Sequence, residues 1–103
     1  LNNENERMGM KVYKYDLSIT DLQEISMPKG SKILTLQVQF DNPKIWALVN
    51  DNEPELEARQ IRIYGTGQSI TGNTDKYIGS FVIREGAFVG HAFEETSTPT
   101  KSE

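Results

Sequence analysis

Arg62, Tyr64, Gly65, Thr66, Gly67 and Gln68 follow one another closely, so that an alternating apolar stretch runs straight into a glycine-rich turn. These residue types suit the holding of an anion. Glycines let backbone amides approach a phosphate, a guanidinium neutralises its charge, and a tyrosine ring stacks on an attached base. The same residues also read as a wide hairpin turn and a solvated strand face. No Gly-Lys-Ser/Thr follows the turn and no helix pattern begins after it, so the nucleotide-hydrolase loop and the dinucleotide fingerprint are both excluded. His91, the single histidine, is in phase with Val89 and Phe93. It is expected on the inner face, hydrogen-bonded to Ser80. It lacks a nucleophile partner for catalysis and companions for a metal. The candidate ligand-binding residues are therefore Arg62, Tyr64, Gly65, Thr66, Gly67, Gln68 and His91. No residue is assigned a catalytic or metal-binding role, and no cofactor is expected. Arg59, three residues before Arg62, points to the opposite side of a regular strand. Asp51, Glu53, Glu55 and Glu57 lack the spacing of a calcium loop and read as a solvated acidic connection.

The elements that must position these residues follow a period of two. Lys11–Leu17 alternates, Asp21–Met27 does so less regularly, and Met27–Gly30 is a turn signal. Lys32–Phe40 carries Leu34, Leu36, Val38 and Phe40 on one face and Thr35, Gln37 and Gln39 on the other, as in a half-buried antiparallel strand. Asp41–Lys44 reads as a turn. Ile45–Val49 returns with Trp46, expected at the centre of the core. Arg59–Tyr64 is the next strand. Gly65–Asp75 is a loop, and Lys76–Arg84 and Ala87–Glu94 form a hairpin around Glu85-Gly86. About seven short strands without a helix predict an all-β domain, a small antiparallel barrel or sandwich.

The final hairpin allows a register. A two-residue loop at Glu85-Gly86 pairs Val82 with Val89 and Ser80 with His91. One face then holds Ile78, Ser80, Val82, Val89, His91 and Phe93. The other holds Tyr77, Gly79, Phe81, Ile83, Phe88, Gly90 and Ala92. Both are largely apolar, so one face must be covered by something outside the core, and a homodimer is expected.

The chain has 103 residues, 36% of them apolar, and a net charge of −4. That describes one ordinary globular domain, here residues 10–94, with residues 1–9 a flexible leader and 95–103 a disordered tail. A mildly acidic chain has no general attraction for phosphate backbones, so nucleic acid is not an expected partner. No apolar run approaches the ~20 residues that span a bilayer, so no membrane is expected either. Cysteine is absent, which excludes disulfides and thiolate chemistry.

Several segments together resemble a family of short, uncharacterised bacteriophage and prophage proteins. They are Met10–Tyr15 (MKVYKY), Ile33–Gln39 (ILTLQVQ), Trp46–Val49 (WALV), Arg62–Gly67 (RIYGTG), Tyr77–Phe81 (YIGSF) and Gly86–Glu94 (GAFVGHAFE). The resemblance covers almost all of residues 10–94 and implies that the two ends lie outside the family unit. The family pattern has a histidine directly after Gly-Thr-Gly, where this chain has Gln68; that departure weakens any enzyme or metal role. The resemblance implies a phage origin and no mechanism. The expected function is a non-catalytic, phage-encoded binding protein in the cytoplasm of the infected host cell, a modulator of host defence that sequesters a small anionic, nucleotide-derived ligand. The alternatives are a module that binds a host protein, or a minor virion or assembly component.

Overall fold

The computed structural model describes residues 8–95. Its strands are β1 (Met10–Asp16), β2 (Leu22–Pro28), β3 (Lys32–Gln39), β4 (Asn42–Asn50), β5 (Leu56–Gly65), β6 (Tyr77–Ile83) and β7 (Phe88–Glu95). They form two antiparallel sheets, ordered β1-β4-β3 and β2-β5-β7-β6. The fold is an all-β sandwich of two sheets, not a closed barrel. Among the described residues no helix is long and apolar enough to cross a membrane.

Alternation builds the core. β4 turns Ile45, Ala47 and Val49 inward, β5 Ile61 and Ile63, β6 Phe81 and Ile83, and β7 Ala92; Ile25 and Met27 of β2, Leu36 of β3 and Leu17 just after β1 complete it. Trp46 lies between Ile45 and Ala47, both fully buried, so the strand pleat sends it to the outer face rather than the core centre. There the Lys14 ammonium sits 5.6 Å from the indole centroid. His91, between the inward Gly90 and Ala92, is likewise on the outer face and not the inner one. Glycine is required at position 90: a Cβ there would meet Phe81 Cζ at 2.5 Å and Phe88 Cε2 at 2.9 Å.

The expected register of the last hairpin holds, with Val82 opposite Val89 and Ser80 opposite His91. Its loop is longer than two residues: Ile83 pairs with Phe88, and Arg84–Gly86 form a 3-10 turn. The β3–β4 turn comes earlier than its sequence signal. Gln39 pairs with Asn42, so Phe40 and Asp41 form the two-residue loop, at φ of 55° and 60°. Pro43 lies inside β4. Its carbonyl accepts the Leu17 N–H. The Asp41 carboxylate accepts the Arg84 N–H at 2.9 Å, tying the two tips together. The turn after β2 is shifted by one residue: Ser31 N–H bonds the Pro28 carbonyl, and Gly30 takes the left-handed φ of 84° that a type II turn needs at its third position.

Two bulges break the alternation, one between Ile33 and Thr35 in β3 and one between Tyr77 and Gly79 in β6. The first leaves Leu34 46% exposed. The second exchanges Tyr77 and Ile78: Ile78 packs against the core, while Tyr77 moves to the outer face opposite Phe93. At the ends, Met8 and Gly9 make a turn whose Gly9 carbonyl accepts the Asp51 N–H, and Glu95 belongs to β7. The rest of the expected leader and tail lies outside the described residues.

Two substitutions test this packing by urea or thermal unfolding. Gly90→Ala is expected to cost about 2 kcal/mol, because the new methyl overpacks the two phenylalanine rings. Phe40→Asn, which relieves the left-handed position and leaves the Asp41 bond to Arg84 in place, is expected to add about 1 kcal/mol.

Candidate functional site

β5 and β6 run in the same direction with β7 between them, so the chain from 66 to 76 has to return along the outside of the second sheet. Tyr64 anchors that return. Its hydroxyl accepts the N–H groups of Thr71 at 3.3 Å and Gly72 at 2.8 Å. Its ring meets Phe93 edge-on, with centroids 5.9 Å apart. Although Tyr64 points to the outer face, it is only 2% exposed. Part of the apolar outer face of the last hairpin is thus covered by the chain's own crossover.

The residues singled out in sequence fall into three groups. Thr66 and His91 come together: Thr66 Oγ1 is hydrogen-bonded to His91 Nε2 at 2.7 Å. His91 Nδ1 continues to Ser80 Oγ at 2.6 Å, and Ser80 to the Tyr77 hydroxyl at 2.6 Å. A hydroxyl beside an imidazole is the contact of nucleophile and base. Here both ring nitrogens take hydroxyls, and among the described residues no carboxylate orients the ring. Gly65 and Gln68 close on each other: the Gln68 carboxamide oxygen accepts the Gly65 N–H at 2.8 Å, and the Gly65 carbonyl accepts the Gln68 N–H at 3.0 Å. The Thr66 N–H goes to the Val89 carbonyl. The amides of a would-be phosphate cradle therefore serve the turn itself. Gly67, at φ of 87°, supplies its left-handed corner. Arg62 stands apart. Its Nε donates to Glu95 at 2.7 Å, and this bond holds the guanidinium pKa above its usual value. The shallow pocket beside the turn, about 130 Å³, is bordered by Asp21, whose carboxylate disfavours an anion.

A different place gathers cations. Between the edge strands β3 and β6, beside both bulges, a cleft of about 320 Å³ is lined by Lys32, Arg59, Lys76, Tyr77 and Glu94. The two strands touch where Gly79 lets them: a Cβ at Gly79 would lie 3.3 Å from Leu36 Cβ. Past that contact, the bulged Leu34 and Ile78 border the opening. Arg59 forms part of its lining. Its Nε and Nη2 bond the Glu94 carboxylate at 2.5 and 3.1 Å, and Nη1 bonds the Ser31 carbonyl at 2.7 Å. The hydrogen bonds that the guanidinium donates to Glu94 raise the Arg59 pKa. Among the described residues no carboxylate forms an ion pair with Lys32 or Lys76. Tyr77 borders the opening, while its ring packs on Phe93 at 5.3 Å between centroids.

Sequence reasoning passed over Lys32, Arg59 and Lys76. One signal was available. Arg59 shares the inward phase of Ile61 and Ile63, and an inward charge requires partners. Nothing local links Lys32 to Lys76.

Tyr64→Phe removes the acceptor for two loop amides. Faster hydrogen exchange at Thr71 and Gly72 is expected, with a stability loss of about 1 kcal/mol; unchanged exchange would show that the crossover is held by other contacts.

Residues 8–102 match the family described as "Domain of unknown function (DUF7352)". The match extends into the C-terminal residues that the resemblance had placed outside the family unit. No curated protein and no solved structure matches the chain.

Proposed function

The chain belongs to the DUF7352 family, and we propose that it is a non-catalytic binding protein for a small anionic, nucleotide-derived ligand. The observation that carries this reading is the cleft at the β3–β6 seam, lined by Lys32, Arg59 and Lys76 against the one carboxylate of Glu94, in a chain of net charge −4. Bulges on edge strands commonly re-aim side chains beside functional sites, and here two of them border the same opening. Lys32 and Lys76 hold the phosphate as mobile point charges. Arg59, neutralised by Glu94 and Glu57 and held by Ser31, shapes the wall, and the two lysines carry the cleft's positive charge. The volume falls near the lower end of the range for ligand clefts, about 300–1,000 Å³. The phage resemblance extends the reading to a modulator of host defence, acting as a homodimer in the cytoplasm of an infected cell.

Isothermal titration with pyrophosphate, mononucleotides, cyclic dinucleotides and cyclic ADP-ribose isomers tests it. At least one member is expected to bind, more weakly as salt rises. Lys76→Glu should weaken binding at least tenfold, about the loss of one charge-assisted hydrogen bond. No heat from any member, with protein shown to be folded, sinks the reading.

One observation favours a second reading, a module that docks on a host protein. Phe40 is 84% exposed at a left-handed φ of 55°, a costly place for an aromatic side chain. A host partner captured by the native chain and lost on Phe40→Asn would support it. Equal capture by both would remove Phe40 from the interface.

A further inference from the structure

The four sheet edges are finished differently. β3 and β6 lie against each other, and β2 ends in Pro28, which cannot donate to a ladder. Among the described residues β1 has one ladder, with β4, and five of its seven residues are exposed, on both faces.

The phase of that open edge can be read off. Asp16 pairs with Lys44, so Leu17 stands opposite Pro43, and the Leu17 N–H bonds the Pro43 carbonyl at 3.2 Å. Bonding pairs alternate along an antiparallel ladder. Lys11, Tyr13 and Tyr15 therefore exchange bonds with β4. Met10, Val12, Lys14 and Asp16 aim their N–H and C=O groups away from it, to the side where none of the described strands lies.

Charged side chains ordinarily guard such an edge. Here each is drawn back onto its own protomer. Lys11 pairs with Asp51. Lys14 donates to the Gln39 carboxamide at 2.5 Å and lies over Trp46. Asp16 pairs with Lys44 at 2.7 Å. What remains at the edge is apolar: Val12 is 56% exposed and Tyr13 39%.

We infer that β1 pairs antiparallel with β1 of a second copy, about a two-fold axis through Tyr13. That register is the one that uses the whole strand. It sets Met10 opposite Asp16, Val12 opposite Lys14 and Tyr13 opposite its own copy, and every outward N–H and C=O finds a partner. It also sets Lys11 opposite the partner's Tyr15, so that each lysine meets an aromatic ring rather than a like charge. The three-stranded sheets merge into one continuous sheet across the axis. The contact is isologous and closed. The second copy, expected in sequence on the outer face of the last hairpin, is placed here instead, and the β3–β6 cleft stays open to solvent in both copies.

The test uses the full chain. Light scattering over a concentration series is expected to show twice the chain mass, falling to the monomer on dilution. Amide exchange of the native protein is expected to show concentration-dependent protection at Val12 and Lys14, and constant protection at Tyr13, whose N–H faces β4. Val12→Pro removes no bond within the protomer but two across the axis, one from each copy. It is expected to raise the dimer dissociation constant at least tenfold. A native chain that stays monomeric at every concentration overturns the inference. So does a dimer whose Val12 and Lys14 amides exchange freely, since its interface then lies elsewhere. Should Val12→Pro fail to fold, the exchange of the native chain decides alone.

Discussion

An arginine on the inward face of a thin sandwich cannot be left to solvent or to chance. Arg59 shares its phase with Ile61 and Ile63, which are buried in the core, and taking a guanidinium out of water costs several kcal/mol unless its donors are met. They are met from three directions: Glu94 on β7 takes two bonds, and Ser31 and Glu57 take the others. The requirement fixes more than one side chain. It sets the register of β5 against β7, where Ile61 stands opposite Glu94. It also draws the turn after β2 down onto the end of the core. The Glu57 carboxylate that meets Arg59 accepts the Gly30 N–H as well, so the same network orders that turn. The polar end of the sandwich, and the cleft beside it, depend on this one charge being satisfied.

The sequence was legible where a local rule governed and illegible where a distant contact did. Period-two alternation is enough to find the strands and the all-β class, because each strand has one face on the core. The pairing of Ser80 with His91 followed from the turn alone, and it survived a longer loop than expected because the added residues fell symmetrically on both sides. Alternation failed at Leu34 and Ile78. A bulge inserts one residue and reverses the face of all that precede it, and nothing in the composition of these strands announces one. Trp46 was misplaced for a different reason: size argued for the core, while its neighbours Ile45 and Ala47 already held the inward phase. The Gly65–Gln68 turn was recognised as a special backbone, but its amides were assigned to an outside ligand when the Gln68 side chain and the Val89 carbonyl were there to take them. Arg62 was given to the same ligand, and Glu95 takes it instead. Lys32, Arg59 and Lys76 lie on or beside three strands of two sheets, so their meeting is a property of the topology rather than of any local stretch.

On the proposed reading, the seam between β3 and β6 lets an edge problem and a binding problem share one solution. Two bare strand edges invite pairing with other chains. Laying them against each other hides both, and the small residue at Gly79 allows the approach. Bulges then disrupt the ladder at one end of the same seam, so the strands part there without offering a flat template. The opening is polar because its walls are strand ends rather than strand middles. It carries Lys32 at the start of β3, Lys76 just before β6, and Arg59 on the inward face of β5. A cleft cut through the middle of the sandwich would have cost core contacts; at the seam it costs few.

Departures from local rules occur at two neighbouring tips at one end of the sandwich, and compensation separates them. At the β6–β7 tip, Arg84 and Glu85 adopt left-handed φ near 55°, but the Asp41 carboxylate receives the Arg84 N–H and Gly86 absorbs the next left-handed position. At the β3–β4 tip the same Asp41 spends its own strain on that bond. Phe40 has no such return: its side chain is 84% exposed. A single exposed aromatic residue is ordinary, and so is a single strained turn residue. The two combined at one position, in a loop where Asn-Gly would satisfy every backbone preference, oppose stability twice over. Sequences are in general locally consistent with their folds except where function intervenes. That combination is what the proposal of an outside partner for Phe40 rests on.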